Sequence, residues 1–285
     1  MPDKKNTALL VVLFGLLALH VFLEWKKEPL KVFELTAERV IMNGWRMEPA
    51  EYGGYQVTKI TAESSLLFDL TLSPLSTSSP YAEVRSLTVY ARSVEGAAGG
   101  VEAGWKGGNV PLRVLELLLP PENAEMVGVR MEILAMEAEE MVLPSLLVEA
   151  PSPSSYRTVN MPYVRMKGWE IRGPEDYMSP SGRKTKVTLI SSQELSGEMY
   201  LGYGNCVLGG KVEQRGAEIR SIETAGQVLG FGATWLGSQS PPNLKSLAGD
   251  PALMSEVRLK FLSLRADNTV LEEVSMRVLG IWPGG

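Results

Sequence analysis

An internal repeat constrains the fold of this chain more than any other feature of its sequence. Three short segments recur in the same order further along the 285 residues, at offsets of 124, 130 and 128 residues. The paired segments are 44–47 with 168–171, 103–107 with 233–237, and 129–134 with 257–262. One match of this length means little, but a shared order at a nearly constant offset is typical of tandem copies of one structural unit. We therefore predict two copies of one domain.

The pattern of side chains within each copy indicates β-structure. Apolar and polar residues alternate, which is the period of a strand with one buried face. The predicted strands are 66–72, 84–90, 129–136, 186–190, 257–264 and 274–281. Turn-forming residues separate them at 73–80, 96–108, 151–155 and 237–243. Residues 113–119 resemble the start of a helix, but Pro120 and Pro121 follow at once, so no helix is expected there.

These patterns predict an all-β protein of two tandem antiparallel β-sandwich domains, jelly-roll or immunoglobulin-like, after a single N-terminal transmembrane helix. The final hairpin of each copy is expected to turn at Glu139-Glu140 and at Asp267-Asn268. The predicted divisions are a tail (1–7), an anchor (8–25), a juxtamembrane linker (26–33), a first domain (34–150), a second linker (151–157) and a second domain (158–285).

The anchor is predicted from an apolar run near the N-terminus. Residues 8–23 carry no charged side chain, lysines flank them on both sides, and Trp25 follows. At about 1.5 Å per residue the run spans about 24 Å of helix, which Trp25 and snorkelling lysines extend towards the membrane surfaces. A cleaved signal peptide is the alternative, but no small-x-small cleavage pattern follows the run. We therefore expect an uncleaved single-span anchor.

The charges that flank the anchor and the length of the β domains favour opposite orientations. Lysine and arginine are more frequent after the anchor than before it, which favours a cytoplasmic position for the β domains. Long domains, however, cross membranes largely regardless of charge. Anchored all-β modules more often face outwards, and we expect the bulk of the chain on the periplasmic or extracellular side.

Composition argues against several classes of function. The formal net charge is −5 without basic clusters, so nucleic acid is not an expected partner. Cys206 is the only cysteine and is expected to be a buried thiol, which leaves no cysteine-rich metal site. Ser181 and Lys184 have the spacing of serine–lysine acyl enzymes, but the intervening glycine and preceding proline predict a hairpin turn. We therefore predict no enzyme activity, no catalytic residue and no metal ligand.

The candidate binding residues fall into two groups. His20 lies within the apolar run, where it could ligate a haem or chlorophyll-type pigment, or instead bond a carbonyl near the membrane surface. Gly15, Ala18 and His20 are expected to face a partner helix, because small residues allow helices to approach closely. Trp105 and Trp235 occupy corresponding glycine-rich segments and could contact a partner or stack on a sugar; alternatively, each indole covers its own domain.

These predictions lead to one principal hypothesis and one alternative. The principal hypothesis is a non-enzymatic, membrane-anchored accessory or scaffold subunit of a larger membrane assembly, such as a respiratory or photosynthetic complex. Its partners would be other membrane-protein subunits and the lipid bilayer. The alternative is a membrane-anchored carbohydrate-binding module of the cell envelope, which would bind glycan through the two tryptophan segments.

Overall fold

The computed structural model describes residues 32–281, and most of them lie in antiparallel β-strands. Residues 32–150, the first half, contain seven strands and one short helix. The strands are β1 (Phe33–Asn43), β2 (Arg46–Tyr52), β3 (Tyr55–Ser73), β4 (Thr77–Ala98), β5 (Val101–Lys106), β6 (Ala124–Leu143) and β7 (Leu146–Glu149), with helix α1 (Leu112–Leu118) between β5 and β6.

Residues 151–281, the second half, contain the same elements in the same order. A single 3₁₀ turn, Pro153–Ser155, connects the halves. The elements are β8 (Arg157–Lys167), β9 (Glu170–Met178), β10 (Lys184–Tyr203), β11 (Cys206–Val228), β12 (Phe231–Leu236), α2 (Lys245–Ala248), β13 (Ala252–Ala266) and β14 (Asn268–Val278). Each pair of repeated sequence segments therefore falls on corresponding elements of the two halves.

Four long strands in each half pair in a closed ring. In the first half β1 pairs with β3 and β6, β3 pairs with β4, and β4 pairs with β6. In the second half β8, β10, β11 and β13 pair in the same cyclic order. Short strands extend each ring, with β2 and β5 on the first and β9 and β12 on the second.

The last strand of each half pairs with the ring of the other half. Strand β14 pairs with β11 of its own half and with β6, placing Val270 opposite Val142. Strand β7 pairs with β4 of its own half and with β13, placing Val148 opposite Leu264. All fourteen described strands consequently belong to one continuous sheet in one compact unit.

The core of each half lies inside its ring. Strand β1 alternates buried and partly exposed residues, as expected of a strand with one face towards a core. The interior of the first ring holds a wholly apolar cavity of about 40 Å³, and a second cavity of about 30 Å³ lies in the second ring. Six methionines line the first cavity, where their flexible side chains fill an irregular space. They are Met42, Met47, Met126, Met131, Met136 and Met141.

The structure confirms the all-β fold class, and its sandwich-like sheet packing agrees with the sequence prediction. The predicted strands lie within longer strands of the structure, except that the last ends at Val278. The predicted turn at Asp267 is present, since β13 ends at Ala266 and β14 begins at Asn268. The predicted turn at Glu139-Glu140 is wrong, because these residues lie inside β6.

Two further predictions concern helices. Helix α1 is present although none was expected before Pro120, because Leu115 and its neighbours Leu112 and Leu118 pack their apolar side chains on the first ring. The predicted transmembrane helix lies outside the described residues. Among residues 32–281, no helix is long and apolar enough to span a membrane.

Candidate functional site

Trp105 and Trp235 occupy the same place in the two halves. Each indole is buried, and each lies in a short strand, β5 or β12, rather than in a loop. The Nε1 of Trp105 donates a hydrogen bond to Oγ1 of Thr58 over 2.8 Å. The Nε1 of Trp235 donates to Oγ1 of Thr188 over 3.2 Å. Both tryptophans therefore close one side of their own ring.

This burial corrects the prediction that Trp105 and Trp235 form a binding surface. Neither indole face is open to a sugar ring or to a partner, and the alternative, that each covers its own half, agrees with the geometry. The sequence contained a signal for burial. Around Trp105, the apolar Ala103 alternates with the charged Glu102 and Lys106, as in a strand with one buried face. The neighbouring glycines concealed this alternation.

Gly15, Ala18 and His20, the other predicted binding residues, lie outside the described residues. Their contact with a partner helix or a pigment stays a prediction. Cys206 is buried at the first residue of β11, in agreement with the sequence analysis. Ser181 lies in the turn between β9 and β10, where its Oγ is 3.0 Å from that of Ser179.

A buried arginine joins the two halves. Arg157 begins β8, and its guanidinium donates to the carbonyls of Leu75 and Ser155 and to Oγ of Ser76. Its Cζ also lies 4.0 Å from the ring centroid of Tyr203. Burial lowers the pKa of Arg157 from its ordinary value. Because these contacts fix the connection between β3, β4 and β8, we assign Arg157 a structural role.

The first half presents apolar side chains to solvent around α1. Leu117 is 87% exposed, and Val114, one turn earlier on the same helix face, is 48% exposed. Val101 on β5 is also exposed. We call these three residues the α1 surface. The turn between β4 and β5 packs against Leu118, which brings Val101 to the same end of the half as the helix.

The α1 surface differs from the ion-paired parts of the exterior. Its helix buries Leu115 on the opposite side, so the exposed leucine and valine do not stabilise the ring. Elsewhere on the described surface, acidic and basic side chains form ion pairs, such as Lys186 and Lys184 with Asp176. The side-chain hydrogen bonds from these lysines lower the pKa of the Asp176 carboxyl. Grouped apolar side chains on such a polar exterior are typical of protein contact sites.

A second open feature is a groove of about 550 Å³ beside Trp45. Trp45 is half-buried, and its Nε1 donates to the carbonyl of Pro120 over 2.8 Å. Arg46 and Glu63 line the groove with the hydroxyl side chains of Thr61, Ser86 and Thr88. The second half has a corresponding groove of about 430 Å³, lined by residues that include Ser191, Gln193 and Glu218.

The two grooves differ in their aromatic residue. Trp169, which corresponds to Trp45, is fully buried and donates to the carbonyl of Gly249 over 2.9 Å. Only the first groove therefore combines an accessible indole with charged and hydroxyl groups, the combination that suits a polar ligand with one apolar face. Trp45 belongs to one of the repeated segments, but nothing in its sequence context predicted it as a binding residue.

Comparisons of the chain with protein-family models, with curated proteins and with solved structures found no match.

Proposed function

We propose that this chain is a non-enzymatic accessory or scaffold subunit of a larger membrane assembly. In this proposal residues 8–25 form its transmembrane anchor and residues 32–281 lie on the periplasmic or extracellular side. The two halves then act together as one interlocked pair of sandwich-type repeats, and the α1 surface binds another subunit of the assembly. The observation that carries the proposal is the exposure of Leu117 and Val114 on a helix whose other side is already packed.

The pairing between the halves supports a scaffold role. Strands β7 and β14 hold each half in register with the other, and Arg157 fixes the connection between them. Because the sheet is continuous, a partner bound at one end of it would lie at a fixed distance from a partner bound at the other end. This geometry suits a subunit that positions its neighbours.

The first experiment tests the anchor. The full chain should remain with membranes after alkaline carbonate extraction, and a variant lacking residues 1–31 should be released. Release of the full chain would contradict the anchor and, with it, the proposed location.

The second experiment tests the α1 surface. Leu117→Asp should reduce recovery of co-purifying membrane subunits at least tenfold, because a charge replaces the most exposed apolar side chain of the surface. Leu253→Glu is the matched control: Leu253 is also exposed, and the corresponding residue of the first half is Glu125, so glutamate suits this position. Unchanged recovery of partners with Leu117→Asp would refute the role of this surface.

The groove beside Trp45 favours a second candidate function, a carbohydrate-binding module of the cell envelope. An indole can stack on the apolar face of a sugar, while Arg46 and Glu63 can hydrogen-bond to its hydroxyl groups. This candidate replaces the buried Trp105 and Trp235 of the sequence analysis with a different, accessible tryptophan.

A glycan array followed by calorimetric titration tests the second candidate. Trp45→Ala should weaken binding of any retained glycan more than tenfold, and Trp45→Phe should weaken it less. Gln193→Ala, in the corresponding groove of the second half, should have no effect. Absence of binding to any glycan on the array would contradict this candidate and leave the scaffold proposal unaffected.

A further inference from the structure

The outer edge of β12 carries unpaired backbone groups. Strand β12 pairs only with β11, through a two-residue turn that makes Val228 and Phe231 a hydrogen-bonded pair. Because hydrogen-bonded and non-hydrogen-bonded pairs alternate, the backbone groups of Gly232, Thr234 and Leu236 point away from β11. Gln239 bonds to both backbone groups of Leu236. Within residues 32–281, the outward groups of Gly232 and Thr234 have no such partner.

Residues of this edge strand are open to solvent. A side chain added at Gly232 would meet no atom within 4 Å, and Thr234 is exposed. Phe231 is 70% exposed and Leu229, in the preceding turn, is 72% exposed. An unprotected strand edge with large apolar neighbours is a site for pairing with another strand.

The first half protects the corresponding edge. Strand β5 places Glu102 and Lys106 at the outward positions that Gly232 and Leu236 occupy in β12. Charged residues at an edge discourage strand pairing, because pairing would remove them from water. Strand β12 contains no charged residue at all. The difference between the halves shows that the fold itself does not require an uncharged edge.

The turn before β12 adds an independent observation. Leu229 has a φ of 50°, in the left-handed region, where the first half has Gly99 with a φ of 56°. A leucine in this region is strained, and an exposed leucine gains little from folding. Strain kept at a surface position points to a role in binding. The apolar side chain at position 229 extends the surface that Phe231 begins.

We propose that β12 pairs antiparallel with β12 of a second copy of this chain. The two copies are related by a two-fold axis that passes between their Ala233 residues. In this register Gly232 lies opposite Thr234 of the second copy, and the two residues exchange both backbone hydrogen bonds on each side of the axis. Phe231 lies opposite Trp235 of the second copy. Self-pairing suits this strand because no charges oppose each other across the axis.

Sedimentation velocity of the full chain in mild detergent tests the proposal. The wild type should show a monomer–dimer equilibrium. Thr234→Pro should raise the dimer Kd at least tenfold, because proline removes the outward N–H without removing a bond to β11. Thr234→Ser, which keeps that N–H, should dimerise like the wild type.

A second pair of variants distinguishes a loss of dimerisation from a loss of folding. Phe231→Lys should weaken the dimer by a similar factor through charge at the interface, whereas Leu253→Lys, at an exposed leucine outside β12 and the α1 surface, should not. The melting temperature of each variant shows whether it is folded. A wild type that is monomeric throughout, or dimers that persist in both Thr234→Pro and Phe231→Lys, would overturn the proposal.

The register has its own test. On the proposed axis, the two copies of Ala233 form a non-hydrogen-bonded pair with Cα atoms about 4.5 Å apart, within the range of a disulfide. Ala233→Cys should therefore give a covalent dimer under mild oxidation, while Ala103→Cys in β5 should not. The native Cys206 is buried and should not contribute. A dimer that Ala233→Cys fails to cross-link would contradict this register.

Discussion

The buried Trp105 and Trp235 each stabilise their own half. Replacing either by phenylalanine removes the indole N–H and leaves the buried Thr58 or Thr188 without that donor. Such a loss costs about 1–3 kcal/mol. Denaturant unfolding should therefore show Trp105→Phe and Trp235→Phe destabilised by this amount. Trp45→Phe, at a half-buried site, is the comparison and should cost less; equal costs at all three positions would contradict the assignment.

Arg157 allows a test of the connection between the halves. Its guanidinium reaches three acceptors in different directions, and a lysine ammonium cannot reproduce this geometry. Arg157→Lys should lower the free energy of unfolding by about 3 kcal/mol, since buried acceptors lose their donors. The exposed Arg165, on the same strand, is the control, and Arg165→Lys should be nearly neutral. Equal stability of the two variants would contradict the structural role of Arg157.

The raised pKa of Tyr177 predicts how the free energy of unfolding depends on pH. Burial, followed by the hydrogen bond from its hydroxyl to Glu149 over 3.0 Å, raises the pKa of Tyr177 to about 12. The unfolded chain releases this proton near pH 10, so the folded state binds more protons between pH 10 and 12. The stabilisation is complete below pH 10 and is lost as the pH rises towards 12. Tyr177→Phe should show a smaller fall in unfolding free energy over this interval; an identical fall would refute the assignment.

At the scale of elements, the β11–β12 hairpin contains a strained turn. Leu229 and Gly230 both have positive φ, as a two-residue turn of type I′ requires. Asparagine tolerates this region better than leucine, so Leu229→Asn should raise the free energy of unfolding of the monomer by about 1 kcal/mol. Leu229→Ala keeps the strain and should give no such gain. Denaturant unfolding at concentrations that favour the monomer measures both, and a stabilised alanine variant would contradict this explanation.

Elements also show how far the sequence predicts the fold. Alternation located the strands, because burial of one face repeats every second residue and is a local property. The turn at Asp267 was predicted correctly and the turn at Glu139-Glu140 was not. Both positions offer polar residues after an apolar run, but β6 continues because residues 140–142 pair with β4 on one side and with β14 on the other, and both partners lie far along the chain. A local pattern contains no information about such a partner.

The sequence predicted less of the candidate site than of the fold. The sequence repeat correctly singled out tryptophans, but which indole is accessible depends on three-dimensional packing. Trp45 and Trp169 follow glycines of equal φ, about 60°, yet only Trp45 is accessible. The α1 surface was missed because Pro120 concealed the helix. The edge of β12 becomes visible only when both halves are compared strand by strand.

As a whole molecule, the two halves form one interlocked unit. Each ring resembles a separate domain in its internal pairing, but β7 and β14 pair across the boundary. Unfolding the first half would remove β6 from β14, and unfolding the second half would remove β13 from β7, so either event would expose apolar residues that this pairing covers. Cooperativity between the halves is therefore the property that distinguishes this arrangement from two tandem domains.

Differential scanning calorimetry of the full chain and of Ile133→Ala measures that cooperativity directly. Ile133 is fully buried in the first ring, and its truncation should cost about 2–5 kcal/mol. We predict one transition whose calorimetric and van't Hoff enthalpies agree, and the variant should move that whole transition to lower temperature. Two separate transitions, of which Ile133→Ala moves only one, would show that the halves unfold as independent domains.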